Sequence, residues 1–210
     1  MFVFVLPGDH VTFINTPASS LPFENDAIVR SGKSVRLQKH VAEDEDAFIR
    51  WYTDAEIAHV LRHDLRPLTS FQAHGYFSTI VLPNSAHGTA WAIHEISTGK
   101  LIGTTAITEI DESRGECLFR IVIGEKSTWG KGYGTEATRL VVAEAFERFR
   151  LRAVNLEVFQ HNPRAIHSYE KVGFVEMRRT IEWARDVRLD VIAMRLEIAN
   201  WDGAFRSGTH

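Results

Sequence analysis

Trp129-Gly130-Lys131-Gly132-Tyr133-Gly134 stands between an apolar run, Arg120-Ile121-Val122-Ile123-Gly124, and a stretch over 135–150 with helical spacing of its apolar residues. In that stretch Ala137, Val141, Ala145 and Phe149 share one side, Leu140, Val142 and Phe146 adjoin it, and Arg139, Glu144, Glu147 and Arg148 supply polar positions. The pattern predicts an amphipathic helix of about four turns, and the β-branched run before the loop predicts a strand. A strand, a glycine-rich loop and a helix in this order form a candidate phosphate cradle. Glycine lets the backbone approach an anion, and the first-turn N–H groups of the helix point at it. Spacing excludes two common versions. Five residues separate Gly124 from Gly130, and Gly132 follows Lys131, so the P-loop pattern of nucleotide triphosphatases fails. Thr135 stands where a dinucleotide fingerprint beginning at Gly130 requires Gly or Ala.

Val154-Asn155-Leu156-Glu157-Val158 predicts the next strand, followed by Asn162-Pro163-Arg164-Ala165-Ile166-His167-Ser168-Tyr169-Glu170-Lys171-Val172-Gly173-Phe174. Asn162 suits an N-cap, Pro163 a first helical residue and Gly173 the stop, which predicts a short helix over 163–172. The glycine loop followed at this distance by the Asn162–Phe174 segment closely resembles the GNAT superfamily of acyl-CoA-dependent N-acetyltransferases. The resemblance is strongest across 120–175 and extends over 34–199. Asp190-Val191-Ile192-Ala193-Met194-Arg195-Leu196 looks like the terminal strand of the branch that acetylates ribosomal-protein N-termini. The implied fold is α/β (α+β): a central, mostly antiparallel mixed sheet of about six to seven strands with about four flanking helices. Its fourth and fifth strands splay apart.

The resemblance also implies a cofactor and roles for particular residues. Acetyl-CoA is the expected co-substrate, with no metal. Its pantetheine arm would pair with backbone groups of Ile121, Val122 and Ile123, and its pyrophosphate would sit on N–H groups of Gly130, Lys131, Gly132, Tyr133, Gly134 and Thr135. Lys131 would add positive charge. The superfamily loop usually begins with Gln or Arg; here Trp129 holds that place and is expected to contribute its backbone N–H. Asn162 matches a cofactor-contacting asparagine, a role compatible with capping. Tyr169 matches the helix tyrosine that protonates the departing thiolate, although Ala165, Ile166 and Tyr169 also share a helix face suited to core packing. A backbone N–H near Val122 is the expected oxyanion donor. Glu157 lies twelve residues before Tyr169, as does the base glutamate in ribosomal-type relatives, with Glu116 and Glu109 as rivals. An α-amine titrates near ~7.7–8.0 and a lysine near ~10.4, so an α-amine asks less of a base. Cys117 reads as a small core residue, since direct transfer needs no acyl-cysteine.

The expected reaction is therefore direct transfer of acetyl to a primary amine in a ternary complex. The acceptor is a protein N-terminus or a small molecule such as a polyamine, an aminoglycoside or an amino-acid derivative. A non-catalytic acyl-CoA-binding module is the alternative from another class. Specificity is expected from the first two helices, the loop around 53–70 and a loop near 178–190, with Trp51, Tyr52, Trp183 and Arg185 as weak lining candidates.

The 210 residues carry 24 Lys+Arg against 27 Asp+Glu, a formal −3, so no global basic field exists to hold a nucleic acid. A single cysteine excludes an internal disulfide framework, and 44% hydrophobic residues are enough for a core. The opening Met1-Phe2-Val3-Phe4-Val5-Leu6 is too short for a signal-peptide core of ~7–15 residues, and no run approaches the ~20 apolar residues of a membrane span. A cytoplasmic protein is expected, with no membrane partner and with a homodimer left open. Residues 1–33 read as an extension of short strands and turns, 34–199 as the transferase domain and 200–210 as a tail. Within the domain, strands are expected at 35–37, 90–96, 101–110 and 116–124. Helices are expected near 43–53, 54–63 and 69–82, the last stopping at Pro83-Asn84. His59 and His63, four apart, read as exposed helix residues rather than zinc ligands, because Val60 stands where a metalloprotease carries Glu.

Overall fold

A computed structural model describes residues 28–203 of the chain. Residues 1–27 of the expected extension and 204–210 of the expected tail lie outside the described residues. The strands are β1 (Ile28–Ser31), β2 (Val35–Gln38), β3 (Ala90–Glu95), β4 (Leu101–Asp111), β5 (Glu116–Ile123), β6 (Ala153–Phe159), β7 (Val175–Ala184) and β8 (Val187–Glu197). They form a single eight-stranded sheet in the order β1-β2-β3-β4-β5-β6-β8-β7. Every neighbouring pair is antiparallel except β5 and β6.

That parallel pair is short. It joins Glu116 to Ala153, Cys117 to Val154 and Leu118 to Asn155, and then ends. Beyond Leu118 the rest of β5 and beyond Asn155 the rest of β6 diverge, leaving a wedge-shaped gap in the middle of the sheet. Counted from β2, these are the fourth and fifth strands, where the splay was expected. The total of eight exceeds the expected six to seven.

The helices are α1 (Glu45–Tyr52), α2 (Ala55–Leu61), α3 (Ser70–Tyr76), α4 (Leu82–Ala86), α5 (Tyr133–Ala143) and α6 (Pro163–Glu170). Asp54 caps α2 by accepting from the N–H groups of Glu56 and Ile57, and Thr69 with Gln72 forms a capping box on α3. One expectation is corrected here. The helix does not stop at Pro83, because α3 and α4 are joined by a π turn over Phe77–Val81. There the Leu82 N–H donates to the Phe77 carbonyl, five residues back, so Pro83 falls in a fresh first turn where its missing N–H costs nothing. A second π turn, Glu144–Arg148, carries α5 onward.

The faces of β5 separate two cores. Phe119 packs with Ala137, Leu140, Val141 and Phe146 from the α5 side, and partly buried Ile121 and Ile123 join them. Val122 packs instead with Phe48, Trp51, Ile57 and Leu61 from α1 and α2. Strand alternation thus places the α5–α6 layer and the α1–α4 layer on opposite sides of the wedge. Gly124 is required by this packing, since any Cβ there would overlap the Trp51 indole.

The expected loop near 178–190 is also corrected. It is an antiparallel hairpin, β7 and β8, turning at Arg185-Asp186, with Arg185 at a φ of 57°. β7 is an exposed edge strand; Val175, Met177, Ile181 and Trp183 alternate with polar residues, a period-2 pattern interrupted at Arg179. No helix among the described residues is long and apolar enough to cross a membrane.

Candidate active site

The cradle begins where β5 ends. A 3-10 turn, Lys126–Thr128, leads through Trp129 into Gly130 and Gly132, at φ of 78° and 85°, a left-handed backbone that only glycine adopts cheaply. Gly132 is the N-cap of α5, and no side chain caps the helix. The first intrahelical bond runs from Glu136 N–H to the Gly132 carbonyl, so the amides of Tyr133, Gly134 and Thr135 precede the ladder and face outward. The positive end of the dipole lies with them. A Cβ on Gly132 would meet nothing within 4 Å, so its conformation and not crowding demands glycine.

Neighbouring strands hold this terminus. Glu136 accepts from the N–H groups of Ser34 at 2.8 Å and Val35 at 3.4 Å, and the Tyr133 hydroxyl donates to Glu95 at 2.5 Å. The Thr98 and Tyr133 hydroxyls, with Lys131 nearby, hold the Glu95 carboxyl below the usual carboxylate range. Tyr133 thus offers the cradle its backbone while its side chain serves as an anchor.

A cavity of about 270 Å³, close to the lower bound of small-ligand sites, runs through the wedge. Ile121, Val122, Ile123, Trp129, Gly130, Gly132, Tyr133, Gly134, Thr135, Glu157, Asn162 and Tyr169 all line it. Of the residues expected to contact the cofactor, Lys131 alone is absent from the lining. Its side chain is exposed beside the loop.

Trp129 behaves differently from the expectation. Its backbone N–H donates to the Lys126 carbonyl at 3.0 Å and is engaged within the turn. The indole N–H donates to the Ile123 carbonyl at 2.7 Å, occupying one acceptor site of a strand end expected to pair with the cofactor. The Arg164 guanidinium lies 3.8 Å from the indole ring centroid. This cation–π contact joins the loop after β5 to the first turn of α6, across the wedge. Arg164 lines the cavity too, as do Ser168 and Lys171. Sequence reading passed over these three because polar residues on a short helix look like solvent-facing ones.

The three glutamates separate clearly. Glu157 projects from the face of β6 opposite Val154, Leu156 and Val158, which pack in the α5 core, and it reaches the cavity. Glu116 sits at the closed end of the wedge, bonded by Arg195 at 2.9 Å, and that guanidinium holds its carboxyl below the usual range. Glu109 is an exposed residue at a φ of 50°, paired with Arg120 at 3.1 Å. Neither of these two lines the cavity.

Tyr169 is half-buried, its ring edge-on to Phe119 with centroids 6.2 Å apart, and burial pushes its phenol well up, so the proton stays on at neutral pH. Tyr169 packs in the core and also lines the cavity. Asn162 caps α6 by accepting from the Ala165 N–H at 3.2 Å and still lines the cavity. Cys117 is buried, which pushes its thiol up to about 12. Trp51 and Tyr52 are core residues, and Trp183 is exposed on β7; none of them lines the cavity. His59 packs on the His161 ring, while His63 lies beyond the end of α2 and pairs with Glu182, so the two imidazoles do not converge.

A wedge in a mixed sheet, with a glycine cradle on one strand end, is the architecture of an acyl-CoA-dependent transferase. Residues 34–175 match the model of the acetyltransferase (GNAT) domain, and the chain belongs to that family of N-acetyltransferases. An N-acetyltransferase of Bacillus licheniformis is 24% identical over 164 residues, 76% of this chain and 90% of its own length. The spermidine N(1)-acetyltransferase of Vibrio cholerae is 32% identical over 82 residues, 39% of this chain and 47% of that protein. Among solved structures, a GNAT-family acetyltransferase from Bacillus anthracis superposes with a TM-score of 0.70 at 12% identity, covering 81% of this chain and 98% of its own. The Vibrio cholerae spermidine N-acetyltransferase in complex with CoA and spermine superposes with a TM-score of 0.68 at 20% identity, covering 80% and 97%. These superpositions share the fold.

Proposed function

We propose that the chain transfers acetyl from acetyl-CoA to a primary amine by direct attack, with Tyr169 as general acid and Glu157 as general base. One observation carries this reading: a single cavity through the wedge brings the cradle, Glu157 and Tyr169 together. The cradle amides, Tyr133 to Thr135, would take the pyrophosphate. The edge of β5 left free beyond Leu118, where Ile121 and Ile123 turn their backbone groups away from β4, would receive the pantetheine arm as a pseudo-strand and present an N–H to the oxyanion. Val122, expected to share in this, turns its own N–H and C=O toward Thr104 of β4. Ile123 would offer its N–H, because the Trp129 indole occupies its carbonyl.

The amine nitrogen attacks the thioester carbonyl, and a C–N bond forms as the carbonyl electrons move onto oxygen. Glu157, directly or through water, takes the amine proton. Collapse of the tetrahedral adduct breaks the C–S bond, and the Tyr169 phenol gives its proton to the thiolate. The products are an acetamide and CoA. Cys117 is buried in the α5 core and does not line the cavity, which disfavours a covalent acyl-Cys117 route.

The acceptor on this reading is a protein N-terminal amine or a small-molecule amine. The spermidine acetyltransferases among the relatives favour the small molecule. Tyr169→Phe provides the test. Turnover, read as CoA thiol release, should fall by ~10²–10⁴ while acetyl-CoA affinity by calorimetry stays within a few-fold. Undiminished turnover would remove Tyr169 from the mechanism, and wild-type protein that binds no acetyl-CoA would end the reading altogether.

A further inference from the structure

The cavity is chemically lopsided. Its N–H donors and its basic side chains, Arg164, His167 and Lys171, come from the loop, α6 and the residue just after it. On the α2 side the lining is Ile57, Val60, Leu61, Val122 and Phe159. Among the described residues that line the cavity, Glu157 is the single carboxylate.

The apolar side is also rigid. Phe159 is almost fully buried, its ring stacked on His161 with centroids 5.1 Å apart and edge-on to His63 at 5.2 Å. His161 Nε2 lies 2.8 Å from the His59 carbonyl, and His63 pairs with Glu182 of β7. Leu65 packs on the cluster of Phe159, Leu189 and Val191. Through these contacts α2 and the chain after it are fastened to β6, β7 and β8. The wall is therefore preorganised and keeps its shape when an acceptor arrives.

We propose that the acceptor is a primary amine borne on an apolar body, an alkyl- or arylalkylamine group, and that Val60, Leu61 and Phe159 select it. This rests on the acetyltransferase reading and adds the substrate class to it. One carboxylate can hold one ammonium and deprotonate it. A polyamine brings further ammonium groups, and the walls offer them no second carboxylate, so each would be desolvated without a partner. An apolar body gains from the same walls, where each methylene is worth about 10–200-fold in discrimination.

The experiment compares kcat/KM for 2-phenylethylamine, 3-methylbutylamine, spermidine and glucosamine at saturating acetyl-CoA, with acetyl-CoA binding measured separately by calorimetry. Both apolar amines should exceed spermidine by about tenfold or more. Val60→Asp should lower the phenylethylamine-to-spermidine ratio by a similar factor without weakening acetyl-CoA binding. Val60→Ala, the milder change, should lower the phenylethylamine value several-fold and by more than it lowers the spermidine value. Spermidine equal to or better than the apolar amines overturns the inference, and so does a ratio unmoved by both variants. Acetyl-CoA binding without acetylation of either apolar amine sinks the inference alone. Absence of acetyl-CoA binding fells the acetyltransferase reading beneath it.

Discussion

Tyr169 and Gly132 show how one residue can answer two demands. Burial against Phe119 holds the phenol of Tyr169 above its ordinary value, so it is a reservoir of one proton rather than a phenolate. The rate should accordingly stay flat on the alkaline side up to at least pH ~10, where an unperturbed tyrosine would ionise. A kcat profile that declines well below that point would place some other group in the acid role. Gly132 is held at a φ of 85° with open space where a Cβ would go. Gly132→Val should cost about 1–2 kcal/mol of folding stability through backbone strain. Its acetyl-CoA affinity should weaken by tenfold or more, because the amides proposed to take the phosphates belong to the strained turn. Equal affinity in a folded Gly132→Val protein would argue against the cradle.

Among the elements, α5 matters most, because its N-terminus must stay fixed while carrying amides that nothing caps. Glu136 does this by accepting from Ser34 and Val35 of the β1–β2 hairpin. Glu136→Ala should destabilise the fold by about 1–3 kcal/mol, measured by urea titration, because two part-buried N–H groups lose a charged acceptor. A loss below a few tenths of a kcal/mol would mean that water replaces it. Most elements could be read locally: α5 from its apolar face, α6 from Asn162 and Pro163, and the β3–β4 hairpin from its glycine turn. Two could not. Pro83 signals a helix stop, but the π turn before it moves the proline into a position where helices tolerate it. β7 alternates Val175, Met177, Ile181 and Trp183 with polar residues, but Arg179 interrupts the run and these apolar side chains stay exposed at a sheet edge, so the pattern points to no core.

For the molecule as a whole, function depends on a sheet that is closed at one end and open at the other. The closed end is braced by Arg195, which donates to Glu116 at 2.9 Å, Asn155 at 3.1 Å and Glu197 at 2.5 Å, linking β5, β6 and β8. Arg195 holds the Glu116 carboxyl below its unfolded value, so the proton is bound less tightly in the folded state. The stabilisation is therefore complete above the unfolded value near ~4.3 and is lost as pH falls through the folded one. Arg195→Met should cost about 1–3 kcal/mol at pH 7, with the difference from wild type shrinking below pH ~4. A difference independent of pH would assign the effect to packing. Burial pushes the Tyr52, Tyr76 and Tyr169 phenols upward, the opposite case. Their contribution is intact below pH ~10 and declines as the pH rises beyond it.

The sequence by itself determined the identities and order of the chemical parts: a glycine loop opening a helix, an asparagine–proline helix start, and a tyrosine on that helix. Those signals are local, since φ requirements, capping and amphipathic spacing act within a few residues. Only the tertiary structure showed which of Glu157, Glu116 and Glu109 reaches the cavity, because that depends on where the β5–β6 pairing stops and which face of β6 turns to the gap. It also decided what Trp129 does, seating the indole on the Ile123 carbonyl beneath Arg164, a residue 35 positions away. Strand divergence and contacts of that range arise from packing of the whole sheet between its two helical layers, which no local pattern encodes.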